Sequence, residues 1–136
     1  MIGIVNFPVL GEKITYKSID RVGAVDGEDQ NALQLNYPVE FLNSVNLAGL
    51  PPHALDLKKH AVVMLIRNLS ITRGLCNGTR LVVEDMKPRV IKARIISSSH
   101  SGSVHLIPRV TLKTKDTREI PFCMRRRQFP LKLAYR

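Results

Sequence analysis

The sequence has no tryptophan and only two cysteines, and its 11 carboxylates leave 10 of its 21 lysines and arginines without an acidic counterpart. Cys76 and Cys123 stand 47 positions apart, with no second Cys or His at metal-ligand spacing around either, which excludes a disulfide framework or a zinc finger. Both are expected to be reduced thiols. The apolar run Ala61 to Ile66 falls far short of the roughly 18 residues of a membrane span. Met1 to Val5 is apolar but has no basic flank, and Pro8 follows, so no secretory signal is expected and the sequons at Asn68 and Asn77 carry no glycan. A phosphate-binding loop would end in Gly-Lys-Ser/Thr. Here Lys precedes Ser or Thr only at Lys17-Ser18 and Lys113-Thr114, neither after Gly. His53, His60, His100 and His105 are never four apart or beside a Cys, so neither a metal site nor a Cys-His nucleophile is indicated.

What remains is a basic chain of 136 residues, enough for one core, with net charge +10 and pI near 10.1. The charge is unevenly placed: residues 1–57 hold 3 basic and 7 acidic side chains, and residues 58–136 hold 18 basic and 4 acidic. Residues 58–119 contain no Phe, Tyr or Trp. A nucleic-acid binder without aromatics in its body has no stacking platform and would touch backbone rather than bases.

The pattern of elements is mainly β. Gly and Pro interrupt residues 6–35, which leave room for two strands at most. Pro38 followed by Val39, Leu42 and Val45 predicts a helix over 37–47, ended by Gly49 and Pro51-Pro52. Residues 61–66 read as a strand buried on both faces, 80–84 as a second and 89–96 as a third, with Ile91, Ala93 and Ile95 opposed to Lys92 and Arg94. Residues 103–107 and 109–113 supply one strand bent at Pro108 or two short ones, and 129–135 a last one. No helix is expected outside 37–47. Short strands and unequal loops predict a small, curved antiparallel barrel over 58–119, with 1–57 as connector and 120–136 as a return strand.

The candidate backbone contacts are Arg67, Arg73, Arg80, Lys92, Arg94, Arg109 and the run Arg125-Arg126-Arg127. The stretch Gly74-Leu75-Cys76-Asn77-Gly78-Thr79-Arg80 predicts a shaped loop with positive φ at Gly74 and near Asn77-Gly78, serving either structure or function.

Several segments occur in an order that resembles one family: Tyr16 to Asp20, Tyr37 to Asn43, Gly49-Leu-Pro-Pro-His53, Val63 to Leu69, Gly74 to Arg80, Ile107-Pro-Arg109, and Pro121-Phe122 with Arg126-Arg-Gln-Phe-Pro130. They are similar to the C-terminal part of petite-integration-frequency (Pif) type DNA helicases, especially copies carried by Helitron transposons. The resemblance implies a 2B insertion, a Src-homology-3-like small barrel, in an ATP- and Mg2+-dependent motor that moves 5′ to 3′ on single-stranded DNA. It also implies single-stranded or forked DNA and a motor domain in cis as partners, and a nuclear or mitochondrial setting. No catalytic, cofactor or metal residue carries over to these positions. His60 and Val62 stand where the family usually has Gly and Pro, and Arg136 precedes the point where the family's DNA-contacting Thr-Ile-Asn-Lys-Ser-Gln-Gly motif would follow. The expectation is a truncated or decayed helicase copy. A free-standing basic barrel that binds nucleic acid and a non-functional remnant are the rivals.

Overall fold

The computed structural model describes residues 12–23, 36–114 and 122–134. Its elements are β1 (Lys13–Lys17), β2 (Ile19–Gly23), α1 (Val39–Asn43), β3 (Ala54–Lys58), β4 (Val62–Leu65), a 3₁₀ turn (Ile71–Arg73), β5 (Arg80–Met86), β6 (Val90–Ile95), β7 (Val104–Pro108), β8 (Val110–Lys113), β9 (Cys123–Gln128) and β10 (Leu131–Leu133). All pairings are antiparallel. A five-stranded sheet has the order β10-β4-β5-β6-β7, a three-stranded sheet the order β2-β9-β8, and β1 pairs with β3. The mainly β, antiparallel class is as expected. Among the described residues the strands form separate sheets and no closed ladder.

Alternation builds the larger core. Leu81 and Val83 on β5, and Ile91, Ala93 and Ile95 on β6, are fully buried, while Lys92 faces out and Arg94 is half-buried. A register shift between Val83 and Asp85 bends β5. Expected to be buried on both faces, β4 buries Val63 and Leu65 and leaves Val62 and Met64 half-buried, flanked by Val82, Arg80 and Lys132 on neighbouring strands. The smaller core joins Val22, Leu42, Val45, Leu50, Leu112, Phe122 and Met124 under α1.

Three strand-like stretches change sheets at one seam. β1 passes to β2 at Ser18, β7 to β8 at Arg109, and β9 to β10 at Phe129-Pro130, so the stretch read as one strand over 129–135 is broken there and Tyr135 lies outside the described residues. Pro108 closes the edge strand β7, where its missing N–H is harmless. Gln128 holds the seam: its Nε2 donates to the Tyr16, Pro52 and His53 carbonyls, and its Oε1 accepts the Phe129 N–H. The Tyr16 and Phe129 rings meet edge to face at 4.8 Å, and Tyr16 donates its hydroxyl proton to the Lys87 carbonyl at 2.9 Å. Burial raises the Tyr16 pKa above the ordinary phenol value; Asp85 pushes the same way and Arg109 opposes them.

Two helical expectations are corrected. Instead of 37–47, α1 is one turn over Val39–Asn43, because the Leu42 and Val45 carbonyls at and beyond its C-terminal end accept from a buried guanidinium. A 3₁₀ turn at 71–73 is helical outside the predicted span. It is the tight piece that lets Ser70 and Leu75 bridge across the loop.

Candidate nucleic-acid interface

The run Arg125-Arg126-Arg127 is split by the pleat of β9. Arg126 points inward and is 1% exposed. Register places it opposite Asp20 on β2, and the two form a bidentate pair: Nε to Oδ1 and Nη2 to Oδ2, both at 2.9 Å. The remaining donors go to backbone, Nη1 to the Val45 and Pro51 carbonyls and Nη2 to the Leu42 carbonyl. Asp20 also accepts from Ser18, which bonds His53 Nδ1 at 2.7 Å. Arg126 was expected among the phosphate contacts. It is instead an internal strut, and every donor it owns is used within the protein.

Arg125 and Arg127 emerge on the opposite, exposed face of the same sheet. Arg125 lies between Arg21 on β2 and Lys113 on β8, and Arg127 between Ile19 and Thr111. Two clefts meet along this face. One, about 490 Å³, is lined by Lys17, Ile19, Pro88, Arg89, Pro108, Arg109 and Arg127. The other, about 180 Å³, is lined by Ile19, Arg21, Thr111, Arg125 and Arg127. Ile19, 62% exposed, and Arg127 belong to both, and no carboxylate lines either. Among the described residues, Lys17, Arg21, Arg89, Lys113, Arg125 and Arg127 have no acidic partner within ion-pair distance.

Arg109 sits at the seam end of this strip. Its guanidinium lies 4.9 Å from the Phe129 ring centre and 5.7 Å from that of Tyr16, and Nη1 donates to the Lys17 carbonyl at 2.9 Å. Burial lowers its pKa, Arg127 pushes the same way and Tyr16 opposes.

The other candidates lie elsewhere. Arg80, Lys92 and Arg94 are on the outer face of the five-stranded sheet, and exposed Arg67 and Arg73 flank the loop before β5. Arg94 is engaged: Nε donates to Glu84 Oε2 at 2.6 Å and Nη1 to the Gly102 carbonyl at 2.8 Å. On the same face Lys92 stands opposite Leu106, with Asp85 as its register partner on β5.

The shaped loop is built by internal bonds. Gly74 has φ +82°, and a Cβ there would come within 2.6 Å of the His100 ring, whose Nε2 contacts the Thr72 carbonyl at 3.1 Å. Thr79 donates to the Gly74 carbonyl and accepts from the Cys76 N–H, while the Asn77 N–H donates to Asn68 Oδ1. Gly78, at φ +97°, has open space around it. His60 holds φ +71°, a left-handed conformation that costs an L side chain more than it would a glycine.

Sequence reasoning missed Lys17, Arg21, Arg89 and Lys113. The first two had been absorbed into an acidic-leaning connector. The signal was present in Ile19-Asp20-Arg21-Val22, where strand alternation separates Arg21 from Asp20. Among the described residues no three His, Cys, Asp or Glu side chains come together to hold a metal. Lys17-Ser18 and Lys113-Thr114 lie at strand ends without a glycine cradle, so ATP and Mg2+ find no fitting site on these residues and no step here passes through them.

This architecture is the one found in Pif1 DNA helicases. Pif1 helicase from Candida albicans superposes over 93% of this chain and 30% of its own, with 22% identity and TM-score 0.59. Bacteroides Pif1 bound to single-stranded DNA superposes over 92% of this chain and 25% of its own, with 21% identity and TM-score 0.57. A structure of two coordinating Pif1 helicases at forked double-stranded DNA covers 92% of this chain and 23% of its own, with 23% identity and TM-score 0.56. The chain thus spans about a quarter to a third of the length of these relatives. Residues 40–86, from α1 through β5, match the family model for the 2B domain of DNA helicase Pif1. The resemblance carried by the ordered motifs is therefore met again in the profile match over residues 40–86 and in the fold. No curated protein sequence matches the chain.

Proposed function

We propose that the chain acts as an accessory, non-catalytic 2B-type module of an ATP-dependent 5′ to 3′ DNA helicase, contacting the DNA backbone while a motor domain carries the nucleotide chemistry. The observation that carries this reading is the 2B-domain match at residues 40–86, seated in a fold that follows Pif1 helicases over more than nine-tenths of the chain. Residues 58–119 would form the body of the module, and 1–57 and 120–136 would lead from it toward the motor. The excess of basic side chains supplies a backbone-directed attraction, and the lack of aromatics in 58–119 makes that attraction indifferent to sequence.

The test is an ATPase and DNA-binding assay on the purified chain. The expected result is no DNA-stimulated ATP hydrolysis, together with DNA binding that weakens steeply as salt rises. DNA-stimulated hydrolysis, or no binding at low salt, would overturn the proposal.

A further inference from the structure

The geometry points to one face, the outer side of the β2-β9-β8 sheet, as a continuous phosphodiester-binding strip: Arg21, Arg125 and Lys113 form one anion site, Lys17, Arg109 and Arg127 the adjoining one, with Ile19 as an apolar ridge between them. This rests on the reading above that the module contacts nucleic-acid backbone. It goes further by naming the site, and it excludes the outer face of the five-stranded sheet.

Three observations carry it. First, the cross-strand register sets Arg125 directly between two other cations, an arrangement that repels in the free protein. A bound polyanion relieves that repulsion. Second, no carboxylate lines either cleft, whereas the other sheet ties Arg94 to Glu84 and spaces its cations with Val82, Val104 and Leu106. Third, Arg109 is pre-oriented by two aromatic rings and the Lys17 carbonyl, so little freedom is lost when it meets an anion.

The chemistry selects a repeating phosphate over an acidic protein surface. Protein–protein interfaces are depleted of charge at their centres, and this strip is cationic throughout apart from Ile19, Thr111 and two prolines. Phosphodiesters alternate charge with apolar sugar. Two cationic sites separated by one exposed isoleucine match that alternation. With no aromatic ring lining the clefts, the strip holds backbone and sugar and leaves bases unread.

The test is fluorescence anisotropy with oligo-dT, oligo-dA and a random duplex, across a salt series, on the full chain and variants whose folding is checked by thermal melting. Oligo-dT and oligo-dA should bind alike. Arg125→Gln with Arg127→Gln should weaken binding about tenfold or more per arginine. It should also lower the log–log salt slope by about 1.4 on single strands or about 1.8 on duplex, and the arm showing the full drop identifies the form bound. Ile19→Ser should weaken binding about three- to fivefold with the slope kept. Arg80→Gln with Lys92→Gln should leave both quantities nearly unchanged. If the Arg80 and Lys92 pair carries the slope instead, this assignment falls while backbone contact stands. If Ile19→Ser has no effect, the strip is not continuous. If the parent chain binds no DNA but captures an acidic protein surface, both this assignment and the DNA-contacting reading fail.

Discussion

The two sheets solve the charge problem in opposite ways. On the outer face of the five-stranded sheet, cations are spaced by apolar side chains and Arg94 is paired with Glu84, with Lys87 on Asp85 at the adjoining turn. On the three-stranded sheet the one carboxylate of the central pairing, Asp20, is turned inward, and the outer face sets its cations beside Ile19 and Thr111 with no carboxylate lining its clefts. The same strand β9 therefore carries a neutralised arginine on its buried side and unneutralised ones on its exposed side. Net charge says nothing of this division. It follows from a period of two, applied to the sequence Cys-Met-Arg-Arg-Arg-Gln.

The sharpest break of the comparison is between neighbours. Arg126→Leu should cost about 3–5 kcal/mol in urea unfolding, because it leaves Asp20 buried without its counter-ion and strips three carbonyls of their donor. Adding Asp20→Leu should recover part of that loss, since a buried pair is often replaceable by packed apolar side chains of similar volume. Arg125→Gln, one residue away, should change the unfolding free energy by no more than about 0.5 kcal/mol. Equal effects at the two positions would mean that the inward and outward assignment along β9 is wrong.

A smaller effect is expected at the seam that separates the sheets. Tyr16→Phe removes the bond to the Lys87 carbonyl and should cost about 1 kcal/mol at neutral pH. The raised pKa of Tyr16 gives the pH dependence its sign. The folded state holds the phenol proton more tightly than the unfolded chain, so this contribution is whole below pH about 10 and is lost as pH climbs through the folded value. Denaturant unfolding between pH 8 and 11 should show a steeper alkaline decline for the parent than for Tyr16→Phe. Parallel declines would show that the hydroxyl has no part in it.

Much of the larger sheet was legible in the sequence because alternation is a local property. Ile91, Ala93 and Ile95 declare one face and Lys92 and Arg94 the other without reference to any partner. The smaller sheet was hidden because its strands come from three distant stretches, and β9 read as a basic run when it is a strand with polar residues on both sides. Arg126 and Gln128 look like surface residues until register supplies Asp20 and the carbonyls around the seam. The length of α1 was misjudged for a related reason: the apolar spacing is helical through Val45, but the carbonyls that would extend the helix are held by a side chain 81 and 84 positions away. The strip shares this history. Arg125 and Arg127 were visible as a cluster, and what makes them a surface with Arg21 and Lys113 is pairing, which no single stretch records.

The last contrast is the weakest in energy and the most specific to charge. Arg125→Gln removes one member of a row of three like charges, so at low ionic strength it should raise stability slightly, by about 0.2–0.5 kcal/mol. Arg94→Gln removes the partner of Glu84 and should lower stability, by about 0.2–1 kcal/mol. Both differences should shrink toward zero at 1 M salt, where the Debye length is about 3 Å. Thermal melts of the two variants and the parent at low and high salt check this. Opposite signs that converge with salt sharpen the division between a self-repelling face and a compensated one. The same sign at both positions would show that the three-stranded sheet's cations are not repelling one another, and the relief of repulsion would then drop out of the case for the strip.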